Sequence, residues 1–305
     1  MGQPNKIRFA PQWTAQAQFA GYYVALEKGY YTEAGIDVEI IYPNAGKSVL
    51  NLLEAGEADI VSLFLTTGIK SKCNGVDLVN IGQISQHPAT MIVARKSDSI
   101  FHLSDLNHEK IAVWKSGFDE LPRWLIAKNN LDVEWVPVLS SVNLFLAGGV
   151  KAMAVMWYNE YNQILNSGVD ESELSCFFLS DFGLDIPEDG LYCLDHTRKE
   201  KGELIAKFLQ ATLRGWEYAR SNQDYTVDLV IGKMKQAHIS ANRTHQKWML
   251  EKTLELIKLG TKKVSPGELC KDDYLITADL LYQQGFISVK IPYEDFFQPV
   301  KNPHP

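Results

Sequence analysis

Near the middle of the chain, Trp157-Tyr158-Asn159-Glu160-Tyr161 sets one carboxylate among three aromatic rings. A carboxylate in that company can accept hydrogen bonds from an amino-substituted ring while Trp157 or Tyr158 stacks on its face. The alternative is that Glu160 is a helix N-terminal charge, favoured there by the helix dipole. Far upstream, Gln12-Trp13 puts a second large planar side chain just after a strand, which suggests a flat ligand held by stacking. In Trp114-Lys115-Ser116-Gly117-Phe118, between a strand and a helical stretch, the N–H groups of Ser116 and Gly117 either hold an anionic or carbonyl group or form a plain cap. His87, just before Pro88, is a further pocket candidate. His238 and His245 share a helix face if their segment is helical, but metal ligation needs more donors at tighter spacing.

These side chains need elements to position them. Lys6 to Phe9 reads as a strand, followed by the exposed Trp13, a helix closed by Gly29, and a second strand from Val38 to Tyr42. The loop carrying Trp13 then falls at the carboxyl edge of a sheet, where open α/β folds bind ligands. Leu52 to Val61 reads as a helix end, a Gly56 stop and a buried strand, and Leu144 to Val155 repeats that plan about 90 residues later. Two such layouts imply two lobes of like construction. Met91 to Arg95 reads as a strand leaving the first lobe and Gly190 to Leu194 as one returning. The expected lobes are therefore 1–92 with 193–305, and 93–192, hinged to close around a ligand. From Glu200 onward the pattern is helical, with Leu204, Phe208, Leu209 and Trp216 on one face. The tail 301–305 reads as disordered.

The 305 residues are enough for two globular domains, with 46% hydrophobic and 22% charged residues. A net charge of −7 argues against nucleic acid or an anionic membrane as partner. No apolar run approaches the roughly 18 residues of a membrane span. Cys73, Cys176, Cys193 and Cys270 are scattered with no CxxC, which favours free thiols, although a Cys176–Cys193 bridge stays open. The first residues show no basic or apolar leader, so the protein is either cytoplasmic or exported with its signal outside this chain. No nucleophile elbow, Walker loop, HExxH or GxGxxG occurs.

The stretch from Gln12-Trp13 to Val38, with Ala55-Gly56-Glu57-Ala58-Asp59 and Trp157-Tyr158-Asn159-Glu160-Tyr161, resembles the thiamine-pyrimidine family. That family joins substrate-binding proteins of ABC importers for thiamine precursors with the fungal pyrimidine synthase. The likeness covers most of the first 195 residues. Its phrase from Tyr23 to Val38, through Glu27-Lys28-Gly29-Tyr30-Tyr31, is shared with sulfonate, taurine and nitrate binders. The resemblance implies an α/β, type II periplasmic-binding-protein fold: two lobes, two crossover strands and a ligand cleft between them.

By the same resemblance, the synthase's lysine that holds pyridoxal phosphate falls at Leu63, and its histidine near Thr67. Its cysteine-rich iron-binding run falls on Asp185-Ile186-Pro187-Glu188-Asp189-Gly190, which has no cysteine. A binder rather than an enzyme is implied, with no catalytic residue, metal or cofactor. Trp13, Tyr158 and Glu160 match the binding branch, with Ser116 and Gly117 in the place of its anion loop. Gln12, Phe64, His87 and Trp157 complete the expected ligand set. Lys115-Ser116-Gly117 departs from the synthase's Gly-x-x-Gly, which favours an uncharged or weakly polar ligand. The implied ligand is an aminopyrimidine related to the pyrimidine half of thiamine, and the implied partner is an ABC permease. The protein is expected to be monomeric and exported, periplasmic or lipid-anchored. The alternatives are a cytoplasmic enzyme of thiamine-pyrimidine biosynthesis, a binder of another small solute such as a sulfonate, and a sensor domain.

Overall fold

The computed structural model describes residues 5–43, 46–115, 117–139, 141–260 and 262–300. The chain divides into two compact units, one running up to Gln86 and resuming at Pro187, the other spanning His87–Ile186. The divisions fall six residues ahead of the expected ones at 92/93 and 192/193 (92 − 86 and 192 − 186). In both cases the chain passes from one unit to the other shortly before a strand. Thr90–Arg95 pairs wholly within the second unit's sheet, and Asp189–Leu194 wholly within the first's.

The first unit's sheet holds β1 (Lys6–Ala10), β2 (Asp37–Ile40), β3 (Ile60–Phe64), β4 (Leu78–Gln83) and β10 (Asp189–Leu194), in the order β2–β1–β3–β10–β4. The second holds β5 (Thr90–Arg95), β6 (Lys110–Trp114), β7 (Glu134–Val138), β8 (Ala152–Met156) and β9 (Leu174–Phe178), in the order β7–β6–β8–β5–β9. In each sheet the fourth strand, β10 or β5, runs against its neighbours while the first three are parallel. Every residue of β3, β4 and β8 is buried. β3 and β8 have the near-continuous apolar sequences expected of strands covered on both faces, while β4 also buries Asn80 and Gln83. Both copies of the sequence echo form a helix, a left-handed glycine and a buried strand: Val49–Glu54, Gly56 and β3, then Asn143–Leu146, Gly148 and β8.

The first unit's core is aromatic. Phe208, on the long helix Asp195–Ser221, lies 5.3 Å from the Phe9 ring and 5.2 Å from the ring of Tyr31, parallel to it. This helix crosses the helix Ala20–Glu27 so closely that a Cβ on Gly215 would strike the Gly21 carbonyl, and one on Gly21 the Trp216 ring. Only glycines permit that approach. Asp59, just before β3, staples three elements. It accepts the Arg8 N–H at 2.8 Å, the Arg8 guanidinium at 3.0 and 3.1 Å, and the Lys201 ammonium at 2.9 Å. Burial alone would raise its pKa, but the Arg8 and Lys201 bonds hold it below the ordinary value.

All four cysteines are free thiols, with Cys176 in β9 and Cys193 in β10. His238 and His245 do not share a helix, because the first of the two helices ends at Gln236 and the next begins at Arg243. No helix among the described residues is long and apolar enough to cross a membrane. The tail 301–305 lies outside the described residues.

Candidate functional site

In the first unit, β1 and β3 end at Ala10 and Phe64, and the loop after β1 carries Gln12 and Trp13. Because β10 is reversed, its first residue, Asp189, pairs in register with Phe64 and so reaches the edge where the parallel strands finish. Gln83, the last residue of β4, pairs with Gly190 at the same edge. One reversed strand thus brings a carboxylate from residue 189 beside a loop at residue 12.

That carboxylate is held from both sides. The Gln12 Nε2 donates to Asp189 Oδ1, and the Gln18 Nε2 to Oδ2 at 2.8 Å. Gln16 in turn donates to Gln18 Oε1 at 2.6 Å, while the Gln12 backbone N–H bonds Ser62 Oγ at 2.9 Å and fixes the loop to β3. Ser85 Oγ receives the N–H groups of Glu188 and Asp189 at 3.0 and 2.8 Å. Burial pushes the Asp189 carboxyl up to about 7 against the Gln18 bond, with the neighbouring Glu188 charge acting in the same direction as burial. Asp189, Gln18, Ser62 and Ser85 share a cavity with Trp216 and Thr253. Trp216 Nε1 and Thr253 Oγ1 have no partner among the described residues, so this wall retains hydrogen-bonding capacity. Trp13, next to Gln12 along the chain, is 40% exposed. Phe64 is buried at the end of β3.

In the second unit, β6 and β8 finish at Trp114 and Met156, and reversed β5 starts at Thr90, in register with Met156. Trp157, half-buried, stands edge-on to Phe178 at 5.6 Å, and its N–H bonds the Ala89 carbonyl at 2.8 Å. His87 Nδ1 meets Asp185 Oδ1 at 2.6 Å. Gly117 has a left-handed backbone, φ 85°, two residues before Asp119, which precedes the helix Glu120–Lys128. Ser116 lies outside the described residues.

Glu160, expected as a ligand acceptor, takes a hydrogen bond from its own turn on each carboxylate oxygen. It is 1% exposed and begins the helix Glu160–Asn166. Its Oε2 accepts the Met156 N–H at 2.9 Å and its Oε1 the Asn159 amide at 2.6 Å. The carboxylate is the nearest acceptor for the donors of its own strand-to-helix turn, and satisfying them spares the cost of leaving polar groups unpaired in the interior. Burial pushes it up to about 7, opposed by the Met156 N–H. Tyr158 is 4% exposed, whereas Trp157 is half-buried.

Asp189, Gln18 and Asp185 were not singled out from the sequence. The run Asp185 to Gly190 is informative there only for lacking cysteines. The recoverable signal is an acidic residue opening a strand, and it means something only once that strand is known to be reversed. Among the described residues, no three of His, Cys, Asp and Glu gather as a metal would require.

Over 299 residues the chain is 24% identical to a Haemophilus influenzae protein named for thiamine biosynthesis, a match covering 96% of this chain and 91% of the other. Over 240 residues it is 22% identical to the formylaminopyrimidine-binding protein of Halalkalibacterium halodurans, covering 74% and 70%. Among solved structures, the periplasmic aliphatic sulphonate binding protein SsuA of Escherichia coli matches with a TM-score of 0.76 at 16% identity, covering 97% and 98%. That likeness shows the periplasmic-binding-protein fold of two α/β lobes, as the sequence resemblance implied. With its family model matched by residues 16–226, this chain belongs to the NMT1/THI5 like family.

Proposed function

We propose that the protein is the solute-binding component of an ABC importer and takes a small planar nitrogen heterocycle, an aminopyrimidine related to half of thiamine. One adjacency carries the reading. Trp13, exposed enough to stack on a flat ring, directly follows Gln12, whose side chain grips the Asp189 carboxyl. A stacking face beside a polar edge suits a flat molecule bearing hydrogen-bonding nitrogens. The cavity that Asp189 lines is water-sized, so a ring would sit at the sheet edge outside it. The name of the Halalkalibacterium relative points the same way.

The ionised form of this carboxyl repels a sulfonate, and the cavity wall around its neutral form brings no cation to pair with one, so the edge disfavours that alternative. The proposal assigns no reaction to the ligand, which is bound and released unchanged. Leu63, where the resemblance puts the synthase's lysine, is an apolar side chain buried in β3. An importer component works outside the cytoplasmic membrane, so export and a permease partner belong to the same proposal. His87, Gly117 and Trp157 of the second unit remain ligand-contact candidates.

The test is calorimetric titration with 4-amino-2-methylpyrimidine and with an alkanesulfonate. Saturable micromolar or tighter binding of the pyrimidine, with none of the sulfonate, is the expected result. The reverse preference would overturn the ligand and leave the fold standing.

A further inference from the structure

The polar group at residue 189 says more about the ligand than that it is polar. Gln12 and Gln18 hold the two Asp189 oxygens separately, which fixes the plane of the carboxyl group. Each oxygen keeps lone-pair capacity beyond the bond it already accepts. A carboxyl group carrying a proton presents a donor and an acceptor side by side. A ring nitrogen with an amino group on the adjacent carbon presents an acceptor and a donor at matching separation.

Resting on the binding role proposed above, we propose that Asp189 selects the ligand by pairing with a ring nitrogen and its adjacent amino group, the pair sharing a single proton. Two parallel hydrogen bonds then form: Oδ–H to the ring nitrogen, and amino N–H to the other oxygen. If the proton moves to the ring nitrogen, the same two bonds persist as a charge-assisted pair. With no proton between them, the carboxylate faces the lone pair of the ring nitrogen and the pairing is lost.

The surroundings suit this. The cavity wall formed by Gln18, Ser62, Ser85, Trp216 and Thr253 brings no cation against Asp189 to hold it ionised. Of the titratable groups around it, Glu188 is the adjacent acid, and the Tyr22 and Tyr192 hydroxyls are pushed well above their ordinary range by burial and so stay neutral. Burial, with Glu188 adding to it, lifts Asp189 itself to about 7, so the carboxyl can carry its proton near neutrality.

The test is titration of the protein with 4-amino-2-methylpyrimidine from pH 6 to 9, each point measured in two buffers of different ionisation enthalpy. The proposal expects Kd to rise about tenfold per pH unit above 7, with uptake of about one proton per ligand at pH 8.5. Asp189→Asn, whose amide imitates the neutral acid, should bind with a profile flat within about twofold across that range. Asp189→Ala should lose at least about tenfold at pH 6 to 7, where the pairing is intact, and approach the wild type towards pH 9. Glu160→Gln, which removes the other carboxyl lifted to about 7, should keep the wild-type slope. Pyrimidine binding with neither pH slope nor proton uptake overturns the role of Asp189 while leaving the binding function intact. No pyrimidine binding at any pH overturns both. The proton count uses the unaltered protein, so the test holds even if a variant misfolds.

Discussion

Asp189 and Phe64 are register partners on adjacent strands, although one opens its strand and the other closes it. That antiparallel pairing, in a sheet whose other pairs near β1 are parallel, sets a carboxylate at the edge otherwise supplied by strand ends and the loops after them. From the same relationship, Gln12 reaches a residue 177 positions away.

Trp13 is the ring assigned to stacking. Trp13→Ala should weaken pyrimidine binding by about ten- to a hundredfold, because stacking on an aromatic contributes about 1–3 kcal/mol, whereas Trp13→Phe should keep part of the affinity. Titration calorimetry decides this, and an alanine variant that binds like the wild type would remove Trp13 from the site.

Asp59 is predicted to matter for stability rather than binding. Its removal leaves Arg8 and Lys201 without their shared anion, and Asp59→Ala should cost about 3 kcal/mol, the lower end for a broken buried pair because both cations keep some water contact. Its folded pKa lies below the unfolded value of about 4, so its contribution is complete above that pH and is lost as pH falls through the folded value. Urea unfolding from pH 6 to 3 should show a shallower acid loss for Asp59→Asn than for the wild type.

Glu160 carries the opposite sign. Its folded pKa, about 7, is above the unfolded value of about 4.3, so between those limits the folded state holds more protons and stability falls as pH rises. Glu160→Gln cannot ionise. Relative to the wild type it should therefore gain up to about 3 kcal/mol between pH 4 and 8. A pH-independent difference between the two proteins in thermal or urea unfolding would contradict the buried carboxylate described here.

Gly215 permits the closest approach of two helices. Gly215→Ala should destabilise by about 1–3 kcal/mol, since the new methyl meets the Gly21 carbonyl and the Ala25 side chain rather than open space. Gly232→Ala has nothing within 4 Å to meet and serves as the control, expected to be neutral or slightly stabilising in the same denaturation series.

Much of the frame was legible from local pattern. The strand read at Lys6 to Phe9 is β1, which runs one residue further to Ala10, and both helix–glycine–strand echoes form where the Gly56 and Gly148 stops put them. Such signals survive because side-chain period and left-handed glycines act over a few residues. The unit boundaries were less legible: a β-branched run announces a strand but not which sheet it joins. Glu160 shows the same limit at one residue. Acceptor for a ligand and acceptor for its own turn are written with the same letters, and only the fold turns it inward at 1% exposure.

The amino-acid sequence by itself determined the class of protein: alternating strands and helices, two lobes of like plan, an aromatic after the first strand, and the phrase that marks the family. Those features are local or repeat along the chain, so they can be read without coordinates. What only the tertiary structure decided is which polar groups meet. Strand direction is set by how the returning chain pairs, and the reversal of β10 brings Asp189 to Gln12 and Gln18 while the turn after β8 turns Glu160 inward.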